Sequence, residues 1–244
     1  MYSSGLRWYS GGVRYLPVLL TALAVSAAPA RGQVTIQNPL LPAEEVAVYS
    51  EKIGNDSWTV TQTLSLRSEK GDSYYEFKSS SPESEVSMRL DVATLFPRNS
   101  EVITRSGDSV IRRTTEILKA DPHPKANELV IGDFNSLAVT LRGLPWGSFS
   151  TVTLVALGAS SRGQQFSFQL TAAGRESVSA AGKTYDCWKV QLGIGGFMGA
   201  FVGKTTYWFL ADAPHFLVKS EGPTGGPGSP IQRVEIQTYS ARGN

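Results

Sequence analysis

Apolar and polar residues alternate along most of this 244-residue chain, and few folds are compatible with that pattern. The segments "WTVTQTLSLRS" and "EVSMRLDV" both follow it. Their apolar positions are Trp58, Val60, Leu64, Leu66, Val86, Met88, Leu90 and Val92. A period of two residues places successive side chains on opposite faces of a β-strand, so each segment predicts a strand with one buried face.

Turn sequences separate these strands at short intervals. Examples are "GND" at 54–56, "KGD" at 70–72, "SPES" at 81–84 and "SGD" at 106–108, combinations of residues that are typical of tight turns. Counting through to "PIQRVEIQTYS" gives about 11–12 strands with the spacing of a meandering antiparallel sheet. No repeat or linker divides the chain. We therefore predict that residues 33–244 form a single, mainly β domain.

One segment departs from the alternation. In "GDFNSLAVTLRGLPWG" the apolar residues recur at three- and four-residue steps, at Phe134, Leu137, Ala138, Leu141 and Leu144. Asp133 can cap the start of a helix, Gly143 can close its end, and Pro145 prevents its continuation. We predict one short amphipathic helix over about 134–142, with its apolar face on the sheet. A strand through "LAVTL" is the alternative.

The N-terminus has the pattern of a secretory signal peptide. Its first 14 residues carry two arginines and no acid, an apolar stretch of about 14 residues follows, and Ala28 and Ala30 form an Ala-x-Ala cleavage site. We predict that residues 1–32 are removed and that the mature chain, which has no integral membrane segment, is periplasmic or secreted. An uncleaved anchor is the alternative, although a spanning helix needs about 20 apolar residues. No cysteine near the site could carry a lipid.

Composition argues against several classes of function. The formal net charge is +2, and the basic and acidic residues are scattered, so no nucleic-acid partner is predicted. Cys187 is the only cysteine and the chain has two histidines, too few closely spaced ligands to predict a metal site or a nucleophile paired with a base. "GAFVGKT" has three residues between its glycines where a nucleotide-binding loop has four. We therefore predict no metal, no cofactor and no enzymatic activity, with Cys187 buried in a strand.

The C-terminal part resembles a known family. "GRESVSAAGKTYDCWKVQL", from Gly174, and "KTTYWFLADAPHFLVKSEG", to Gly222, are similar to a bacterial family of exported proteins of unknown function. That family is thought to resemble the lipoprotein carriers LolA and LolB. The resemblance implies a LolA-like fold: a single antiparallel curved sheet or incomplete β-barrel, with one or two short helices on its concave face. It implies no catalytic residues.

Two functions remain open on the sequence alone. In the first, the concave face binds a lipid, a lipoprotein or another apolar ligand beneath the helix and the glycine-rich segment "GIGGFMGAFVGK". The predicted ligand-binding residues are Phe134, Leu137, Leu141, Trp188, Phe197, Met198, Phe201 and Trp208. In the second, the chain is a structural adaptor that docks another envelope protein by strand addition and has a filled core. A continuous apolar cavity of at least about 300 Å³ would favour the first function, and a filled core with an exposed flat edge would favour the second.

Overall fold

The computed structural model describes residues 34–117, 125, 127–132, 134–156, 166–194 and 203–243. The predicted signal peptide, residues 1–32, lies outside them. The described part is mainly β and contains 13 strands. They are β1 (Glu44–Ile53), β2 (Asp56–Glu69), β3 (Asp72–Ser80), β4 (Ser84–Asp91), β5 (Pro97–Ser106), β6 (Ser109–Ile117), β7 (Glu128–Ile131), β8 (Thr151–Ala156), β9 (Phe166–Ala180), β10 (Lys183–Ile194), β11 (Thr205–Leu210), β12 (Leu217–Pro223) and β13 (Ile231–Arg242).

The strand count exceeds the predicted 11–12. β7 has only four residues, too few for alternation to be recognised in the sequence. The predicted turns are present: at the β2–β3 turn, Lys70 and Gly71 both have positive φ, 53° and 85°, the backbone of a two-residue hairpin whose twist matches that of its strands.

All 13 strands belong to one sheet, in the order β6-β5-β4-β3-β2-β1-β13-β12-β11-β10-β9-β8-β7. The chain begins in the middle of the sheet and runs outward to one edge. It then continues at the other edge and returns inward until β13 pairs with β1. Every pairing is antiparallel except that of β7 with β8, which flank the helix and run parallel.

The sheet is curved, and the length of the chain between its two edges requires this. Residues 117 and 128 end β6 and begin β7, so the chain between them can span at most about 40 Å. Thirteen strands spaced about 4.8 Å apart would place the two edges about 58 Å apart in a flat sheet. The edge strands β6 and β7 are not paired with each other, so the sheet is open rather than a closed barrel.

A helical segment, residues 134–143, lies on one face of this sheet, which we call the inner face. It consists of α1 (Leu137–Thr140) between single turns of 3-10 helix, Phe134–Ser136 and Leu141–Gly143. The predicted helix is therefore confirmed and the alternative strand is wrong. Gly143 is required for a close approach, because a Cβ there would lie 2.4 Å from the carbonyl oxygen of Gln37.

Two apolar clusters fill much of the inner face. The larger joins Leu137 and Leu141 to residues of β7–β13, β1 and β2, and the smaller joins Val139 to residues of β2–β4. Leu137 and Val139, two residues apart in the helical segment, thus contact different parts of the curved sheet. In the described part of the chain, no helix is long and apolar enough to cross a membrane.

Candidate functional site

A cavity of about 840 Å³ opens between the helical segment and the inner face of the sheet. Residues of nine adjacent strands line it, from β4 through β1 and β13 to β9. Ser81, Thr224 and Gly225, at or next to the β3–β4 and β12–β13 turns, also line it, so the cavity opens at the end of the sheet where these turns lie. We call this cavity the cleft.

The start of the helical segment forms one wall of the cleft. Phe134, Leu137 and Ala138 line it, and the ring of Phe134 meets that of Phe168 on β9 edge-on, with centroids 4.9 Å apart. Leu141, one turn further along, is fully buried in the larger apolar cluster. The first half of the predicted apolar helix face therefore borders the cleft, and the second half packs into the core.

The strand wall of the cleft combines apolar and hydroxyl-bearing side chains. Both kinds of side chain lie at positions that point to the inner face, because each strand presents every second residue to that face. The apolar residues include Val60, Val86, Phe168, Leu192, Ile194 and Val234. The hydroxyl-bearing residues include Ser79, Ser84, Thr205, Tyr207 and Ser220.

Tyr207 places an uncharged hydroxyl group at the cleft. Burial raises its pKa to about 12, so the phenol stays protonated at neutral pH. Its ring stacks on that of Phe209 with centroids 6.3 Å apart. Tyr207 thus adds a neutral polar side chain to the lining of the cleft.

Glu51 is the one formally charged residue among the described residues that line the cleft. It lies on β1, between Trp58 of β2 and Val234 of β13 in the strand register. Its Oε1 accepts a hydrogen bond from Nε2 of Gln232, 2.5 Å away. No lysine or arginine of the described lining faces it.

Beyond the cleft, a buried ion pair fixes the C-terminal half of the helical segment to the sheet. The Arg142 guanidinium group donates to both carboxylate oxygens of Glu45 on β1, at 2.5 and 2.9 Å, and its Nε donates to the carbonyl oxygen of Pro214. Tyr239 of β13 donates its hydroxyl to Glu45. Burial opposes the charge of Arg142, but the carboxylate of Glu45 nevertheless holds the pKa of Arg142 above its usual value.

Aromatic rings pack beside this ion pair. Trp146 donates its indole N–H to the carbonyl oxygen of Arg142, and its ring stacks almost parallel to that of Trp188, with centroids 6.0 Å apart. The ring of Phe209 lies 5.5 Å from the same indole. Trp188, a predicted ligand-binding residue, therefore packs together with Trp146 beside the buried ion pair, a region that we call the closed end of the inner face, and does not line the cleft.

Trp208 lies on the outer face. Its neighbours Tyr207 and Phe209 point inward, and its own indole N–H donates to Glu176. The ammonium groups of Lys189 and Lys219 lie 5.5 and 5.9 Å from its ring. This residue lines a separate pocket of about 440 Å³. The sequence did not separate the faces here, because "TYWFL" is apolar or aromatic at consecutive positions.

Cys187 is fully buried, as predicted. Its Sγ lies 3.7 Å from the carbonyl oxygen of Tyr185. Burial is the main cause that raises the pKa of its thiol to about 12, and the negative charge of the neighbouring Asp186 is the second. The thiol is therefore protonated at neutral pH.

Phe197, Met198 and Phe201 lie outside the described residues. Gly193 and Gly203, on either side of that segment, both line the cleft. Among the described residues, no group of three or more His, Cys, Asp or Glu side chains is placed to hold a metal ion.

Three residues of this region were not predicted from the sequence: Glu51, Tyr207 and Arg142. Glu51 could have been found, because Ala47, Tyr49 and Glu51 have the same parity on β1, and a charged residue in such a set indicates a polar point on an apolar face. Nothing in the sequence indicated the partner of Arg142, since Glu45 lies 97 residues away.

Comparisons with known proteins give little more. No protein-family model matches the chain, and no curated protein sequence matches it. Among the solved structures that match is that of a DUF1329 family protein from Desulfovibrio piger. It is 10% identical to this chain, the TM-score is 0.30, and the match covers 83% of this chain and 87% of the other. A TM-score this low carries no argument, so the resemblance to LolA and LolB stays a prediction.

Proposed function

We propose that this chain is a non-catalytic binding protein that holds a lipid, a lipid-modified protein segment or another apolar ligand in the cleft. The observation that carries the proposal is the 840 Å³ cavity between the helical segment and the inner face. Ligand sites in proteins typically measure about 300–1,000 Å³ and combine apolar walls with a few polar groups. The cleft has this size, and both apolar and polar side chains line it.

The position of the cleft also supports binding. Phe134 and Leu137 border it on one side and Val60, Val86 and Val234 on the other, so an inserted apolar chain contacts apolar side chains on both sides. Removing apolar surface from water contributes about 25 cal/mol per Å² to the free energy of binding. The adaptor hypothesis predicted a filled core, and the open space between the helical segment and the sheet supports the carrier instead, although polar side chains interrupt its apolar lining.

Blocking the cleft tests the proposal. Gln62 lies on the cleft face of β2, and its cross-strand neighbours are Ala47 and Ser79, two small residues that leave room for a larger side chain. We expect Gln62→Trp to fill part of the cleft and to weaken binding of a fluorescent apolar probe by about tenfold or more, equivalent to about 1.4 kcal/mol. The measurement is a probe titration, with a thermal melt to show that the variant is folded.

Thr63→Trp is the matched control. Thr63 is the next residue of the same strand, pairs with Val46 and Lys78, and points to the outer face. It should bind the probe as the wild type does. The proposal fails if the wild type binds no apolar probe, or if both tryptophan variants bind it equally well.

A further inference from the structure

The charge of the cleft wall restricts the ligand further. Glu51 lines the cleft, and no lysine or arginine is among the described residues that do. An anionic head group placed in the cleft would therefore meet a carboxylate and no compensating cation. In a cavity lined partly by apolar side chains, where the effective dielectric constant is lower than in water, that repulsion is stronger than at an exposed surface.

Glu51 also differs from the other strand glutamates. Of those the structure describes with their side chains, all but Glu44 and Glu51 form an ion pair with lysine or arginine. Glu44 is exposed at the start of β1, whereas Glu51 is half-buried on the inner face. The only polar partner of Glu51 is the neutral amide of Gln232, so its negative charge is not neutralised within the described residues.

The residues beside Glu51 suit a cation. Trp58 lies directly opposite it in the β1–β2 register, and directly opposed residues have Cβ atoms about 4.5–5.5 Å apart. Trp58 packs against the larger apolar cluster and does not itself line the cleft, so the carboxylate of Glu51 is the main attraction for an ammonium group and the neighbouring indole adds to it through its ring. Val234, on the other side of Glu51, offers apolar contact to the attached chain.

We propose, on the basis of the binding function above, that the ligand is a single-chain amphiphile with an ammonium head group. Glu51 binds the head group with Trp58 beside it, and the apolar chain lies along the cleft between the helical segment and the strands. Glu51 is then the residue that determines specificity, and it acts by attracting cations and repelling anions.

Three probes of equal chain length test this: an alkyltrimethylammonium ion, a monoacylglycerol and a fatty acid. Each is titrated calorimetrically, below the concentration at which it forms micelles, into the wild-type protein. We expect the cationic probe to bind about tenfold more tightly than the neutral one and the anionic probe to bind most weakly. The affinity for the cationic probe should fall as salt is added.

Glu51→Gln is the decisive variant, since it removes the charge and keeps the shape. This substitution should lower the affinity for the cationic probe by about tenfold, leave the affinity for the neutral probe unchanged and raise the affinity for the anionic probe. Glu235→Gln is the control: Glu235 pairs with Ser50, the residue before Glu51, and forms an ion pair with Lys219, on the outer face. It makes the same change of net charge and should leave all three affinities as they are.

The outcomes separate this inference from the proposal beneath it. If the anionic probe binds the wild type as tightly as the cationic one, or if Glu51→Gln leaves the order of affinities unchanged, the head-group inference is wrong and binding in the cleft still stands. If none of the three probes binds, the proposed function is itself wrong.

Discussion

The inner face of this sheet has two ends that differ in how they are filled. At the closed end, Arg142, Glu45 and Tyr239 form a buried hydrogen-bonded group beside the rings of Trp146 and Phe209. At the open end, the same sheet and the same helical segment border a cleft of about 840 Å³. The second half of the helical segment thus packs into the apolar core, and its first half lines the cleft.

This difference separates stability from binding. The closed end holds the helical segment in place through the bonds of Arg142 to Glu45 and Pro214, whereas its first half at the open end borders the cleft. Substitutions at the closed end should therefore change the free energy of unfolding, and substitutions at the open end should change ligand affinity.

The largest effect is expected from breaking the buried ion pair. Arg142→Ala leaves the carboxylate of Glu45 without its cation, and the side chain of Glu45 is only 7% exposed. Removing one partner of such a pair costs about 3–5 kcal/mol of unfolding free energy. Chemical denaturation of the wild type and the variant measures this difference in unfolding free energy.

An exposed ion pair on β13 provides the control for this substitution. Arg233→Ala breaks the pair with Glu221, in which the arginine side chain is 58% exposed, and should cost less than about 1 kcal/mol. Equal costs for the two substitutions would show that the ion pair at the closed end does not anchor the helical segment.

A smaller contrast is expected from truncating two isoleucines. Ile236 on β13 is 1% exposed in the apolar core, whereas Ile194 on β10 is 40% exposed and lines the cleft. Ile236→Ala should cost about 3 kcal/mol, because it leaves a cavity in packed surroundings. Ile194→Ala should cost less than about 1 kcal/mol and should weaken binding of an apolar probe. The reverse order of stability losses would mean that the two ends have been assigned wrongly.

How much of the structure could be predicted from the sequence depended on whether the signal was local. Alternation predicted the strands, turn-forming residues predicted the connections between them, and apolar spacing predicted the helical segment. The cleft depends instead on pairing between the first and last strands. Gln232 bonds Glu51 and Tyr239 bonds Glu45 across separations of 181 and 194 residues, and no local pattern specifies such contacts. Trp208 shows the same limit on a smaller scale, because a run of consecutive aromatic residues does not reveal which of them faces inward.

The most direct test of the central claim, that the open end binds a ligand while the closed end does not, is methyl NMR of the selectively labelled protein. A neutral single-chain amphiphile is added to saturation, and the methyl resonances of valine and leucine are followed. We predict that Val60, Val86 and Val234, which line the cleft, shift on binding, while the buried Val178 on β9 and Leu144, which lies between Arg142 and Trp146 in the chain, do not. The assignment of binding to the open end is contradicted if no methyl group shifts, or if those of Val178 and Leu144 shift as much as those of the cleft.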